Sequence, residues 1–179
     1  MNETTLYKRV LTPGILLLLA YEWLISGFDK VFSGIFVQQL RNQLVSSLSG
    51  LQYHFYDHFL KSVVVPQAHL FAVLVEIGEI CTGIGFVALA VALIRDRMNS
   101  VLALVGIWTS IISAFMALNF FLWQGGSLFL NPSDPFDEGI TIDLMLVLIQ
   151  LWMAIFFFSV RRKFAAERQH ALRNSYSHG

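Results

Sequence analysis

Along this chain, apolar and polar positions alternate on the scale of whole helices. Four long apolar runs, at about residues 11–31, 67–94, 101–123 and 140–160, are separated by polar stretches. Each is long enough, at about 20 residues, to cross the hydrocarbon core of a bilayer as a helix. Between the first and second runs the pattern changes. Ile35, Leu40, Leu44, Val45, Leu48 and Leu51 recur mostly at three- and four-residue spacing, which predicts an amphipathic helix or two lying on the outer face of a bundle. The connection from Trp123 to Gly139 holds Pro132, Asp134, Pro135, Asp137 and Glu138, and reads as a turn-rich, acidic, solvated loop. The expected fold is an all-α integral membrane four-helix bundle over residues 1–163. A polar cytoplasmic tail, 164–179, is expected to fray or lie along the membrane surface.

Composition supports a membrane setting. The chain is 56% hydrophobic and 13% charged with a mean hydropathy of +0.63, against roughly 25% charged residues in soluble domains. Net charge is zero, so there is no electrostatic reason to expect nucleic acid. Counted for four spans, nine cations fall on one side (Lys8, Arg9, Arg95, Arg97, Arg161, Arg162, Lys163, Arg168, Arg173) and three on the other (Lys30, Arg41, Lys61), making the full twelve. The positive-inside rule then places both termini in the cytoplasm. The run from Leu11 to Ala20 could pass for a signal-peptide core, but YEWLIS follows it in place of a small-residue cleavage site.

The candidate chemistry lies in ionisable residues that interrupt the apolar runs. Glu22, Asp29 and Lys30 lie in or at the end of the first, Glu76 and Glu79 in the second and Asp143 in the fourth. Each costs about 2.5 kcal/mol or more to insert, so such residues are functional candidates by default. Measured from the inner basic residues at about 1.5 Å per residue, Glu22 and Glu79 stand about 20 and 24 Å up, with Asp29, Lys30, Glu76 and Asp143 at about 27–30 Å. All of them occupy the outer half. Glu22, Ser26, Asp29 and Ser33 form one helical stripe, and His69, Glu76, Glu79 and Gly83 another. Facing each other, the two stripes would make an outward-facing polar pocket in which Lys30 pairs with Glu76 or Asp29. Gly78, Gly83 and Gly85 read as close-contact positions between helices. His54 and His58, four apart, make a poor metal site without further ligands. Cys81 is the single cysteine, so no CxxC pair exists.

With those residues in view, the chain resembles the DoxX/DoxD family of small four-helix membrane proteins. The resemblance rests on SGFDK closing the first run, VEIGEICTGIGFVALA in the second, the patch from Asn119 to Gly126 and ITIDL opening the fourth, and it covers about residues 7–160. Lys30, Glu76 and Gly83 match the family pattern, and Asp143 matches it less closely; the long loop from Ser33 to Pro66 departs from the shortest members. The resemblance implies a membrane subunit of an oxidoreductase, since DoxD is a subunit of a thiosulfate:quinone oxidoreductase. Glu22, Asp29, Lys30, Glu76 and Glu79 are then the expected catalytic set, and His69, Asn119 and Asp143 the expected contacts to a quinone. Such a subunit would sit in the lipid bilayer and need either a partner, a second oxidoreductase subunit or an extracytoplasmic protein, or a freely diffusing quinone. A non-enzymatic membrane anchor for an extracytoplasmic partner, and less so a small proton-coupled transporter, are the alternatives.

Overall fold

The computed structural model describes residues 10–51, 53–124, 126 and 141–177, with side chains described as far as residue 169. Among them the chain is helical, with no strand. Helix α1 (Thr12–Ser33) carries Pro13 in its first turn, where a missing N–H has no intrahelical partner to lose. It ends at Gly34, whose φ of 65° is the left-handed conformation that favours glycine, with its N–H donating to the Val31 carbonyl at 3.2 Å. Helix α2 (Phe36–Ser47) is the amphipathic helix the spacing predicts, and it buries Leu40 and Leu44.

From α2 the chain passes through a short 3-10 turn to α3 (His54–Phe59), a π turn (Leu60–Val64), a 3-10 turn (Val65–Gln67) and α4 (Ala68–Ile94). The sequence places the start of this helical stretch after Pro66. Instead the helical run begins at His54 and continues for 41 residues to Ile94. Proline is tolerated because it falls in the tight turn that follows the wide one, where the regular ladder is already broken. A short turn leads to α5 (Ser100–Trp123), whose N-cap Asn99 accepts from the Leu102 N–H at 2.8 Å.

The last helix, α6 (Ile142–Ser177), has 36 residues and runs through the basic cluster at Arg161 into the segment expected to fray. That segment, FAAERQHALRNSYS, is rich in strong helix formers and extends a helix already nucleated, so adding turns avoids the nucleation cost. The acidic loop between α5 and α6 lies outside the described residues, apart from Gln124 and Gly126 at its start.

Three helical runs are long and apolar enough to cross a membrane: His54–Ile94, Ser100–Trp123 and Ile142–Gln169. Helix α1 is not among them, because Glu22, Asp29 and Lys30 dilute its 22 residues. It packs along α4, and α5 packs along α6. Gly27 and Gly83 bring α1 and α4 close: a Cβ on Gly83 would lie 3.1 Å from the Leu24 backbone nitrogen, and one on Gly27 2.8 Å from Ile80 Cγ1. The main core joins Leu16 and Trp23 of α1 to Phe86 of α4, Ala117 of α5 and Met153 and Phe157 of α6. A second core gathers α2 and α3 over the start of α4, around Leu40, Tyr56, Leu60 and Ala72. The outside of the bundle is apolar as well. Leu18, Phe32, Trp108 and Trp152 are 72, 82, 57 and 70% exposed, a surface that water would penalise and lipid would accept.

Candidate functional site

The helices that carry the two predicted stripes meet in one ion pair, but it is made by Lys30, beside the first stripe, while Glu22, Asp29 and Ser33 of that stripe are exposed. Lys30 Nζ lies 2.9 Å from Glu79 Oε2, with the lysine side chain 19% exposed and the glutamate fully buried. The same ammonium donates to Ser26 Oγ at 2.6 Å and to the Ser26 carbonyl at 3.3 Å. It also stands 5.4 Å from the ring centre of Phe36 and 5.6 Å from that of Phe120, within cation–π range of both. Glu79 Oε1 is buried and has no hydrogen-bond partner among the described residues.

Beside this pair lies an apolar chamber of about 260 Å³, bounded by α2, α3, the start of α4 and the C-terminal end of α5. Phe36 and Phe120, the rings that flank Lys30, are also two of its walls. Val75 and Met116 line it too, and Glu79 follows Val75 by one turn on the same face of α4. The polar part of its lining is the contact between Tyr56 and Asn119. The Tyr56 hydroxyl donates toward the Asn119 carbonyl at 3.1 Å and its Oδ1 at 3.2 Å, while Asn119 Nδ2 donates to the Phe115 carbonyl at 2.7 Å.

The remaining predicted residues are spread around this centre. Glu22 is exposed on α1. Asp143 is half-buried in the first turn of α6. Glu76 is half-buried, and Asp29 and His69 are exposed. The partner of Lys30 is thus Glu79, in place of the expected Glu76 or Asp29. His54 and His58 are also exposed, and among the described residues no cluster of three His, Cys, Asp or Glu side chains could hold a metal ion.

Sequence reasoning missed Phe36, Tyr56 and Phe120 as parts of the site. Tyr56 did carry a signal. Tyr56, Leu60, Val64, Ala68 and Ala72 are spaced by four and all are buried, one continuous face running through Pro66. Also unforeseen are Ser110, Ser113 and Gln150, fully buried polar residues of α5 and α6.

The chain matches no family model, no curated protein and no solved structure. Fold and site together define a multi-pass, all-α membrane protein with a buried lysine–glutamate pair beside an apolar chamber.

Proposed function

We propose that this protein is a DoxX/DoxD-like subunit of a membrane oxidoreductase, and that its chamber takes a quinone which accepts electrons from a small sulfur compound. The observation that carries this reading is the shared wall: Phe36 and Phe120 flank the Lys30 ammonium on one side and bound the apolar chamber on the other. A flat ring with polar edges and an apolar tail needs that combination.

The residues present fit such a group. Phe36 and Phe120 offer ring faces, Leu40, Leu60 and Val64 offer apolar surface for a tail, and Tyr56 with Asn119 supplies the polar part of the lining, with the Lys30 ammonium on the far side of the Phe36 and Phe120 rings. A bound quinone supplies a two-electron, two-proton acceptor. In this reading the chain orients the ring between Phe36 and Phe120 and shields it beneath the α2–α3 cover, with the Lys30–Glu79 pair set behind those rings. Asp143, slightly above Glu79 by helical rise, is an acid on the way to the outer surface, whereas Glu22 stands deeper. A single cysteine gives the chain no dithiol of its own, so the sulfur compound would be oxidised with a second subunit or by direct encounter.

The same reading places the chain in the cytoplasmic membrane with α1 as the fourth span and both termini inside. It is supported by the distribution of the twelve cations and by the exposed apolar face of α1, which includes Leu18, Ile25 and Phe32.

Quinone reduction by the protein in lipid nanodiscs, with thiosulfate or sulfite as donor and its co-purifying proteins present, tests the assignment. Turnover that Lys30→Ala and Glu79→Gln both abolish while the fold survives is the expected result. A wild-type protein that shows none would favour the non-enzymatic anchor, with the α2–α3 cover as the surface for an extracytoplasmic partner.

A further inference from the structure

The chamber is too small to hold the whole of a long-tailed ligand, so where it opens decides what it can take. Its volume of about 260 Å³ is room for about nine waters at about 30 Å³ each, which a single substituted ring fills. Leu40, Leu60 and Val64 can cover the first part of a tail, but the rest has to leave. Most of the lining is buried or half-buried. Three lining residues reach the surface: Leu74 of α4, 54% exposed, Phe115 of α5, 64% exposed, and Phe59 of α3, 37% exposed.

Their neighbours tell the two openings apart. Leu74 belongs to the exposed apolar stripe Leu70, Leu74, Ile77 and Ile84 of α4, and Phe115 continues the exposed stripe Trp108, Ile111 and Ile112 of α5. Both helices are long and apolar enough to span a membrane. Phe59 stands instead beside His58, Lys61 and Ser62, all exposed and polar. By helical rise from Arg95 and Arg97, Leu74 and Phe115 lie about 32 and 27 Å along their helices, at the edge of a hydrocarbon core about 30 Å thick. One turn deeper than Leu74 the two helices close on each other. A Cβ on Gly78 would lie 2.9 Å from Met116 Sδ, and one on Gly85 3.1 Å from Thr109 Oγ1.

Building on the reading above that the chamber holds a ring, we propose that it opens sideways into the bilayer at Leu74 and Phe115 and takes a chain-bearing ligand from the lipid phase. The ring lies inward, toward Phe36, Phe120 and the Tyr56–Asn119 contact, and the chain trails out between α4 and α5 into lipid. The contact of Gly78 with Met116 sets the deep limit of the mouth, and the α2–α3 cover closes the other side. A ring delivered from water would have to pass an apolar rim that offers it no polar contact.

Two probes test it: a benzoquinone bearing a decyl chain and the same ring without the chain. Binding to the full-length protein in nanodiscs is read as quenching of Trp123, which lines the chamber, in a Trp108→Phe, Trp152→Phe background that removes the two exposed tryptophans. In that background with Cys81→Ala, Leu74→Cys is plugged with N-benzylmaleimide in detergent before reconstitution, and Phe59→Cys carrying the same label serves for comparison. At Leu74 the label is expected to weaken the decyl probe, relative to the chainless ring, by about tenfold or more, while at Phe59 that ratio stays within about twofold. Retained binding of the chainless ring shows in the same measurement that the labelled protein is folded. A ratio unchanged by the label at Leu74, or one that falls at Phe59 instead, would overturn the sideways opening and leave the ring-binding chamber standing. Quenching by neither probe in the unlabelled protein would remove the chamber reading and this proposal with it.

Discussion

Lys30 and Glu79 meet because their helices pack as an antiparallel pair. Side chains on a helix lean toward its N-terminus. On α1 that carries the lysine ammonium back over Ser26, and on α4 it carries the Glu79 carboxylate the opposite way, toward the outer end of α1. Their Cα atoms, about 30 and 24 Å up by helical rise, differ by roughly one turn, which the two leans close. Glu76, one turn nearer the outside, leans away from the same point.

The first prediction concerns the net worth of that pair. Removing either charge leaves the other without its partner in a nearly dry site, so Lys30→Met and Glu79→Leu should each lower stability by about 3–5 kcal/mol. The double variant should return close to wild type, because apolar groups of similar size make no demand for a partner. Unfolding midpoints of the purified protein in detergent would check this. A double variant as weak as the singles would show that the pair does more than neutralise itself.

A second prediction concerns the α1–α4 contact. A methyl at Gly83 would fall 2.5 Å from Leu24 Cγ and 3.1 Å from the Leu24 backbone nitrogen. Gly83→Ala should therefore cost about 1–3 kcal/mol, as overpacking does. Gly14, in the first turn of α1, has nothing within 4 Å of its would-be Cβ; Gly14→Ala should be neutral or stabilising by up to about 1 kcal/mol. Thermal unfolding of the two variants side by side separates packing from helix propensity.

The pairing of the stripes shows how far the sequence could be read. Spacing puts Glu22, Ser26 and Asp29 on one face of the first helix and Glu76, Glu79 and Gly83 on one face of the second; Glu79 and Gly83 do face α1, but they meet Leu24 and Gly27 there, while Glu22 and Asp29 are exposed. Backbone depth alone sets Lys30 level with Glu76 and Asp29, because the lean of the side chain does not register in it. Pro66 was read as a boundary, since in a regular ladder it would be one; the π turn before it cannot be seen in residue types, although the four-residue series from Tyr56 to Ala72 crosses it. Phe120 could not be placed at the site by periodicity, because its neighbours Trp23 and Lys30 come from a helix nearly a hundred residues earlier.

The cover over the chamber yields a third prediction. Tyr56 is the buried residue of α3, and its hydroxyl ties that helix to Asn119 of α5 at 3.1–3.2 Å. Tyr56→Phe keeps the ring and removes the tie, a loss of about 1 kcal/mol. Because α3 and the π turn have few other polar tethers, the effect should be local. Amide exchange across 54–64 should speed up severalfold while exchange in α5 and α6 stays unchanged. A uniform acceleration would place Tyr56 in the global core instead.

Gln150 makes the fourth. Its side chain is fully buried, and neither amide atom has a partner among the described residues. An unpaired buried amide costs about 1–3 kcal/mol, so Gln150→Leu, close in volume and without polar atoms, should raise the unfolding midpoint. A lowered midpoint would show that the amide is satisfied in the membrane and belongs to a polar connection between α5 and α6.

The last prediction concerns α1, the helix whose charges keep it from ranking with the other three by hydropathy. If it crosses the bilayer, Val10 lies on the side of the α4–α5 turn, and Ser49 lies opposite both. Cys81, the one cysteine, can first be replaced by alanine without touching the ion pair. Cysteines placed singly at Val10, Ser49 and Arg97, all exposed positions, would then be tested with a membrane-impermeant thiol reagent on sealed right-side-out vesicles. Labelling of Ser49→Cys alone, with the other two reacting only after permeabilisation, is the result that four spans and inward termini require. If Val10→Cys and Ser49→Cys label together, α1 lies on the outer surface. The Lys30–Glu79 pair would then stand nearer the headgroups, where a charged pair is far less costly to keep.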